Sequence, residues 1–156
     1  HGHTVIELLV VILVLSLLAA IVLPSSGVGA DRKLDTVQLE IQDALDHAQS
    51  LSYHQGVPFG VRFSSDGNWF AVVNEAGVAI DDPLGHGDYI VFLKDPGQPK
   101  DVHLDFGMFD SRPVAVFDEK GVLHAGGEIH IRTANEERWL VCDTATNKLT
   151  EVPANP

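Results

Sequence analysis

A chain of 156 residues, 45% of them hydrophobic, has enough apolar material for one compact domain with a short appendage and too little for two independent cores. Its formal net charge of -12 sets up a field that repels phosphate backbones and anionic lipid headgroups, which argues against a nucleic-acid partner. Cys142 is the sole cysteine, so no intrachain disulfide forms; a buried strand thiol is its expected role, and cysteine usage is silent on the redox compartment.

The chain opens on a segment that obeys different rules from the rest. Glu7 is the only Asp, Glu, Lys or Arg before Asp31, and residues 5–23 read VIELLVVILVLSLLAAIVL. At about 1.5 Å of rise per residue such a helix crosses most of a bilayer core, which predicts a single transmembrane helix. A secretory signal peptide ending at the small residues Val28, Gly29 and Ala30 is the competing reading, and it is disfavoured because the basic n-region of such a signal is missing. A carboxylate in an apolar run costs roughly 2 to 3 kcal/mol at mid-membrane depth and less near the interface, so Glu7 requires a partner or a task.

The stretch Gly2-His3-Thr4-Val5-Ile6-Glu7-Leu8-Leu9-Val10-Val11, followed by Pro24, resembles the class III signal of type IV prepilins and type II secretion pseudopilins, with His3 where that family usually has an aromatic residue. The resemblance implies cleavage by a prepilin peptidase after Gly2 and methylation of the new amino terminus at His3. It implies a single-pass protein of the bacterial inner membrane with its globular domain in the periplasm. It further implies that Glu7 neutralises the amino terminus of a neighbouring subunit during assembly, a pairing with a physical basis, since lipid-like surroundings punish either charge alone.

Pro24, Ser25, Ser26, Gly27 and Gly29 lower helical propensity, so a kink or local melting is expected there before a second helical stretch over residues 31–52. Along that stretch Leu34, Val37, Ile41, Ala44, Leu45, Ala48 and Leu51 recur at three- and four-residue intervals and predict a stripe that packs on the protein's own sheet. Asp35, Gln38, Gln42, Asp46 and Gln49 occupy the other side. The domain organisation is then 1–30, prepilin-type signal and transmembrane helix, and 31–156, globular domain.

Beyond Tyr53, short apolar runs separated by turn residues predict strands at 59–63, 69–73, 89–93, 102–106, 114–117, 128–132 and 138–142. Ser65-Asp66-Gly67-Asn68 predicts a hairpin between the first two, and Glu119-Lys120-Gly121 and Asn135-Glu136-Glu137 predict further tight connections. Residues 76–87 and 95–99 read as loops. The expected fold class is α+β: a long N-terminal helix, membrane anchor plus amphipathic half, packed on antiparallel β-sheets. That order of elements, with AVFDEKGVLHAGGEIHIR leading into a final hairpin, resembles the H-type minor pseudopilins of the GspH/FimT group.

Eight histidines raise a metal hypothesis, with His124, His130 and His103 as the best group, but their spacing fits no metal motif. His130 alternates with Ile129 and Ile131 and has Glu128 and Arg132 as same-face neighbours, the pattern of a solvated strand face. Asp81, Asp82 and Asp88 stand in a Pro- and Gly-containing loop whose oxygens suit calcium; without EF-hand spacing, a solvated acidic loop is the better reading. No nucleophile elbow or glycine-rich phosphate loop is present, so no catalytic site, metal or cofactor is expected, and a membrane-anchored periplasmic enzyme has no residue in its favour.

Two functions follow. One is a minor pseudopilin, a structural subunit of the type II secretion pseudopilus. The other is a minor type IV pilin for pilus assembly or DNA uptake, which for DNA needs a basic patch near the C-terminal hairpin. There Arg132, Arg138 and Lys148 are interspersed with Glu136, Glu137, Asp143 and Glu151, so local cancellation is expected. The implied partners are other pseudopilins or pilins through the N-terminal helix, the prepilin peptidase, the inner membrane and secreted protein cargo.

Overall fold

Helix α1 runs over Ser26–Gln55 in the computed structural model, which describes residues 26–94 and 101–153. Gly2, His3, Glu7, Pro24, the apolar run 5–23 and the 95–99 loop lie outside the described residues. Among the described residues no helix is long and apolar enough to cross a membrane.

The helix departs from the 31–52 expectation at both ends. It passes through Gly27 and Gly29 without a break, although each glycine costs about 1 kcal/mol relative to alanine. Helix propagation is cheap once a packed segment has nucleated it, and here the packed stripe supplies that nucleus. At the other end Gly56 adopts a left-handed φ of 64° and its N–H donates to the Ser52 carbonyl at 2.9 Å, closing the last turn. The buried Ser52 hydroxyl accepts the Phe59 N–H at 2.9 Å, which fixes the reversal into the first strand.

Eight strands follow among the described residues: β1 (Phe59–Phe63), β2 (Trp69–Asn74), β3 (Ile90–Phe92), β4 (His103–Phe109), β5 (Val114–Phe117), β6 (Gly127–Arg132), β7 (Glu137–Cys142) and β8 (Leu149–Val152). They form two antiparallel sheets, ordered β3-β2-β1-β5 and β4-β6-β7-β8. Helix α1 lies on β1, β2 and β5 of the first sheet. Its predicted stripe is core: Leu34, Val37, Ile41, Ala44, Leu45 and Ala48 are buried and Leu51 packs at the margin. Ile129, Ile131 and Leu140 from the second sheet belong to the same cluster, so the two sheets share one core.

The sheets meet through aromatic rings that need glycines beside them. Phe63 of β1 stacks on Phe109 of β4, with centroids 5.8 Å apart and planes within 7°. A Cβ on Gly107 would come within 2.7 Å of the Phe63 ring, and one on Gly127 within 2.3 Å of the Phe109 ring. The β1–β2 hairpin is built as expected: the Ser64 hydroxyl accepts the N–H groups of Asn68 and Trp69 at 3.1 and 3.0 Å.

Strand β8 has no counterpart among the predicted strands, because Leu-Thr-Glu-Val is too short and polar to show an apolar period. The helix holds it in place. Gln42 donates to the Asn147 carbonyl at 3.2 Å and accepts the Leu149 N–H at 2.8 Å, gripping the β7–β8 turn from both sides.

Candidate assembly surfaces

The outer face of the second sheet carries a side-chain network centred on Asp105. Leu104 pairs with Ile131 and Phe106 with His130, which leaves Asp105 as the extra residue of a β-bulge. A bulge re-aims its side chain. The Asp105 carboxylate lies 2.7 Å from Arg132 Nε, 3.0 Å from His130 Nδ1 and 3.6 Å from His103 Nε2. The other ring nitrogen of His130 lies 3.3 Å from Glu137 Oε2.

His130 departs from the solvated-face expectation, because it is only 7% exposed. Its cross-strand neighbours cover it: Trp139 stacks on the imidazole at 4.3 Å and 18°, and Phe106 tilts against it at 5.9 Å. The bulge thus gathers His103 and His130 around one carboxylate, while His124 stays exposed on the β5–β6 connection. Among the described residues no group of three or more His, Cys, Asp and Glu side chains is placed to hold a metal.

The three cations of the C-terminal hairpin region are all paired, but with acids largely different from those expected. Arg138 is 8% exposed. Its guanidinium donates to Asp31 at 2.5 Å, to Asp35 at 2.7 Å and to Gln38 at 2.9 Å, and Nε lies 3.4 Å from Glu151. Burial alone would lower its pKa; the Asp35 hydrogen bond and the charges of Glu151 and Asp31 outweigh that and hold it above its ordinary value. Arg132 pairs with Asp105, and Lys148 lies 3.7 Å from Asp46. The acids of α1, close in space and far in sequence, do most of the cancelling; Glu137 faces His130 instead.

Cys142 is buried in β7, as expected. Burial, aided by Asp143 and Asp46, pushes the thiol from 9.0 up to about 11. The folded chain therefore keeps a proton that the unfolded chain releases. This contribution to stability is complete below pH 9.0 and is lost as pH rises toward about 11, a decline of about 2 to 3 kcal/mol at about 1.4 kcal/mol per pH unit. Denaturant titrations of the wild type at rising alkaline pH are expected to show this decline, and Cys142→Ala is expected to flatten it. Equal slopes for the two would mean that another group carries it.

A third surface is anionic. No Lys or Arg occurs between Lys33 and Arg62, nor between Arg62 and Lys94. These two stretches enclose a groove of about 540 Å³ between α1 and the 81–91 segment, lined by Asp43, His47, Asp82, Leu84, Tyr89 and Ile90 among others. The loop expected at 76–87 is locally ordered: Val73 bridges Ala79, Asp81 bridges Asp88, and the Asp82 carboxylate accepts the Leu84 N–H at 2.9 Å. His86 Nδ1 lies 3.3 Å from the same carboxylate, so Asp82 is engaged within its own loop. His47 stacks on Tyr89 at 5.3 Å and 15°. Burial first, and then the charges of Asp43, Asp82 and Glu40, raise the Tyr89 pKa above its ordinary value.

No family model matches the chain, and no curated protein does. Crystal structures of the type IV minor pilin FimU of Pseudomonas aeruginosa are similar in fold at 16% identity. In one the TM-score is 0.54, with 79% of this chain and 90% of that chain covered; in another it is 0.50, with 76% and 92% covered. A long N-terminal helix packed on antiparallel sheets, with a single core beneath it, gives this chain a pilin-like α+β fold.

Proposed function

We propose that the chain is a non-enzymatic structural subunit: a minor pseudopilin of a type II secretion pseudopilus, of the GspH/FimT kind, anchored in the inner membrane by residues 1–30 with 31–156 in the periplasm. The observation that carries this reading is the conjunction of a pilin-like fold with the Gly2-His3-Thr4-Val5-Ile6-Glu7 signal at the start of an apolar run. In it, a prepilin peptidase cuts after Gly2, His3 is methylated, and Glu7 meets the amino terminus of the next subunit.

Glu7→Ala is expected to leave the globular domain folded while reducing crosslinking to neighbouring subunits by about tenfold or more, since each factor of ten corresponds to about 1.4 kcal/mol of docking energy. Unchanged incorporation of the mutant would remove the role assigned to Glu7.

The second reading, a minor type IV pilin, draws support from the likeness to FimU, itself a type IV minor pilin. Its DNA-uptake form requires free cations, whereas Arg132, Arg138 and Lys148 each face a carboxylate. The chain is therefore expected to show no shift of duplex DNA at about 0.15 M salt. Salt-sensitive binding abolished by Arg132→Ala or Lys148→Ala would favour DNA uptake.

A further inference from the structure

We propose that the groove between α1 and the 81–91 segment docks an extended segment of another protein that carries Lys or Arg on both sides of one bulky apolar side chain. The site combines apolar and anionic side chains. Leu84, 77% exposed, lines the groove with Tyr89 and Ile90, and Asp43 of the helix and Asp82 of the loop line it as well. Exposed apolar surface of this kind gains from a partner's side chain that removes it from water.

Charge selects the occupant. Asp43, Asp82 and Asp88 line the groove and no described Lys or Arg does, whereas Arg132, Arg138 and Lys148 are taken up by Asp105, by Asp31 and Asp35, and by Asp46. The carboxylates lining the groove give it a negative field that steers a cationic partner. A second copy would present the same anionic face and is repelled, as are nucleic acid and anionic lipid.

Backbone geometry favours an extended ligand. Strand β3 is the edge of its sheet, and Leu93 donates its N–H inward to Asn68 at 2.7 Å. Alternation then turns the backbone groups of the half-exposed Phe92 away from β2, the arrangement to which an added strand pairs. The Asp82–Leu84 hydrogen bond and the His47–Tyr89 stack hold the groove in shape beforehand, which limits the ordering cost of binding. This inference holds whether or not the chain assembles into a filament.

The test uses the 156-residue chain in non-ionic detergent, with empty micelles as blank, and a fluorescein-labelled peptide GKVKLKVKG read by anisotropy. Saturable binding is expected, with none for GEVELEVEG and binding weaker by about fivefold or more for GKGKGKGKG. Leu84→Ser and the pair Asp43→Asn with Asp82→Asn are each expected to weaken binding about tenfold, and the distant pair Glu119→Gln with Glu128→Gln less than about twofold. Asn at 82 keeps the oxygen that accepts the Leu84 N–H, and thermal melts confirm that each variant is folded. Equal binding by the groove variants and the wild type, or equal binding of the glycine peptide, would overturn the proposal. Concentration-dependent self-association abolished by Leu84→Ser would overturn it in favour of a contact between copies.

Discussion

Phe63→Ala is expected to destabilise the domain by about 3 to 5 kcal/mol, the range for deleting a buried aromatic ring from a packed core. Phe63 is buried where the two sheets meet, stacked on Phe109 at 5.8 Å and tilted against Phe70 at 6.2 Å. Its loss opens a void shared by both sheets, which backbone relaxation fills poorly because each side is held by its own strand ladder. Domains of this size are stable by about 5 to 15 kcal/mol, so the variant approaches the threshold of unfolding. Denaturant titration measures the loss, and a cost below about 1 kcal/mol would mean that the sheets do not depend on this contact. A double-mutant cycle supplies the second check. Gly107→Ala should be costly in the wild type, where its Cβ would meet the Phe63 ring at 2.7 Å, and cheaper beside Phe63→Ala, where the ring is gone.

Arg138→Met is expected to cost about 1 to 3 kcal/mol and to loosen the N-terminal half of α1 specifically. Breaking a buried ion pair costs about 3 to 5 kcal/mol when an uncompensated charge stays behind in the interior. Here the buried partner is the one removed, and Asp31, Asp35 and Glu151 are largely exposed and regain water. What remains is the loss of charge-assisted hydrogen bonds and the mutual repulsion of three carboxylates that had shared one cation. Amide exchange should rise around Asp31 to Gln38, because Arg138 ties that turn to β7. Arg138→Lys should recover only part of the stability, since a single ammonium cannot reproduce contacts made through three guanidinium nitrogens. Unchanged exchange in the methionine variant would show that packing alone docks the helix.

The periodic features were legible in the linear chain because they depend on local spacing. The stripe from Leu34 to Ala48 and the alternation of Phe59, Val61 and Phe63 carry the periods of helix and strand, and each buries the residues that its period predicts. Strand β8 is not legible in the linear chain because Leu149 to Val152 has no apolar period of its own; β7 and Gln42 define it. The burial of His130 is not legible either, because alternation assigns a face but says nothing about what covers it, and the covering rings belong to Phe106 and Trp139 on neighbouring strands. The Asp105 bulge is likewise a property of two strands in register, invisible in either alone.

The α+β class, the division between an apolar, nearly uncharged N-terminal segment and an acidic remainder, and the concentration of acids without cations in residues 34–61 and 63–93 are all properties of the linear chain. Which charges meet depends on how distant elements pack. Arg138 lies about a hundred residues from Asp31 and Asp35 and is bonded to both, and the two cation-free stretches become one groove only because α1 packs beside the 81–91 segment. Periodicity reports one element's relation to an apolar interior. Ion pairing and groove formation depend instead on distances between elements, which the shared core sets when both sheets pack against each other and the helix.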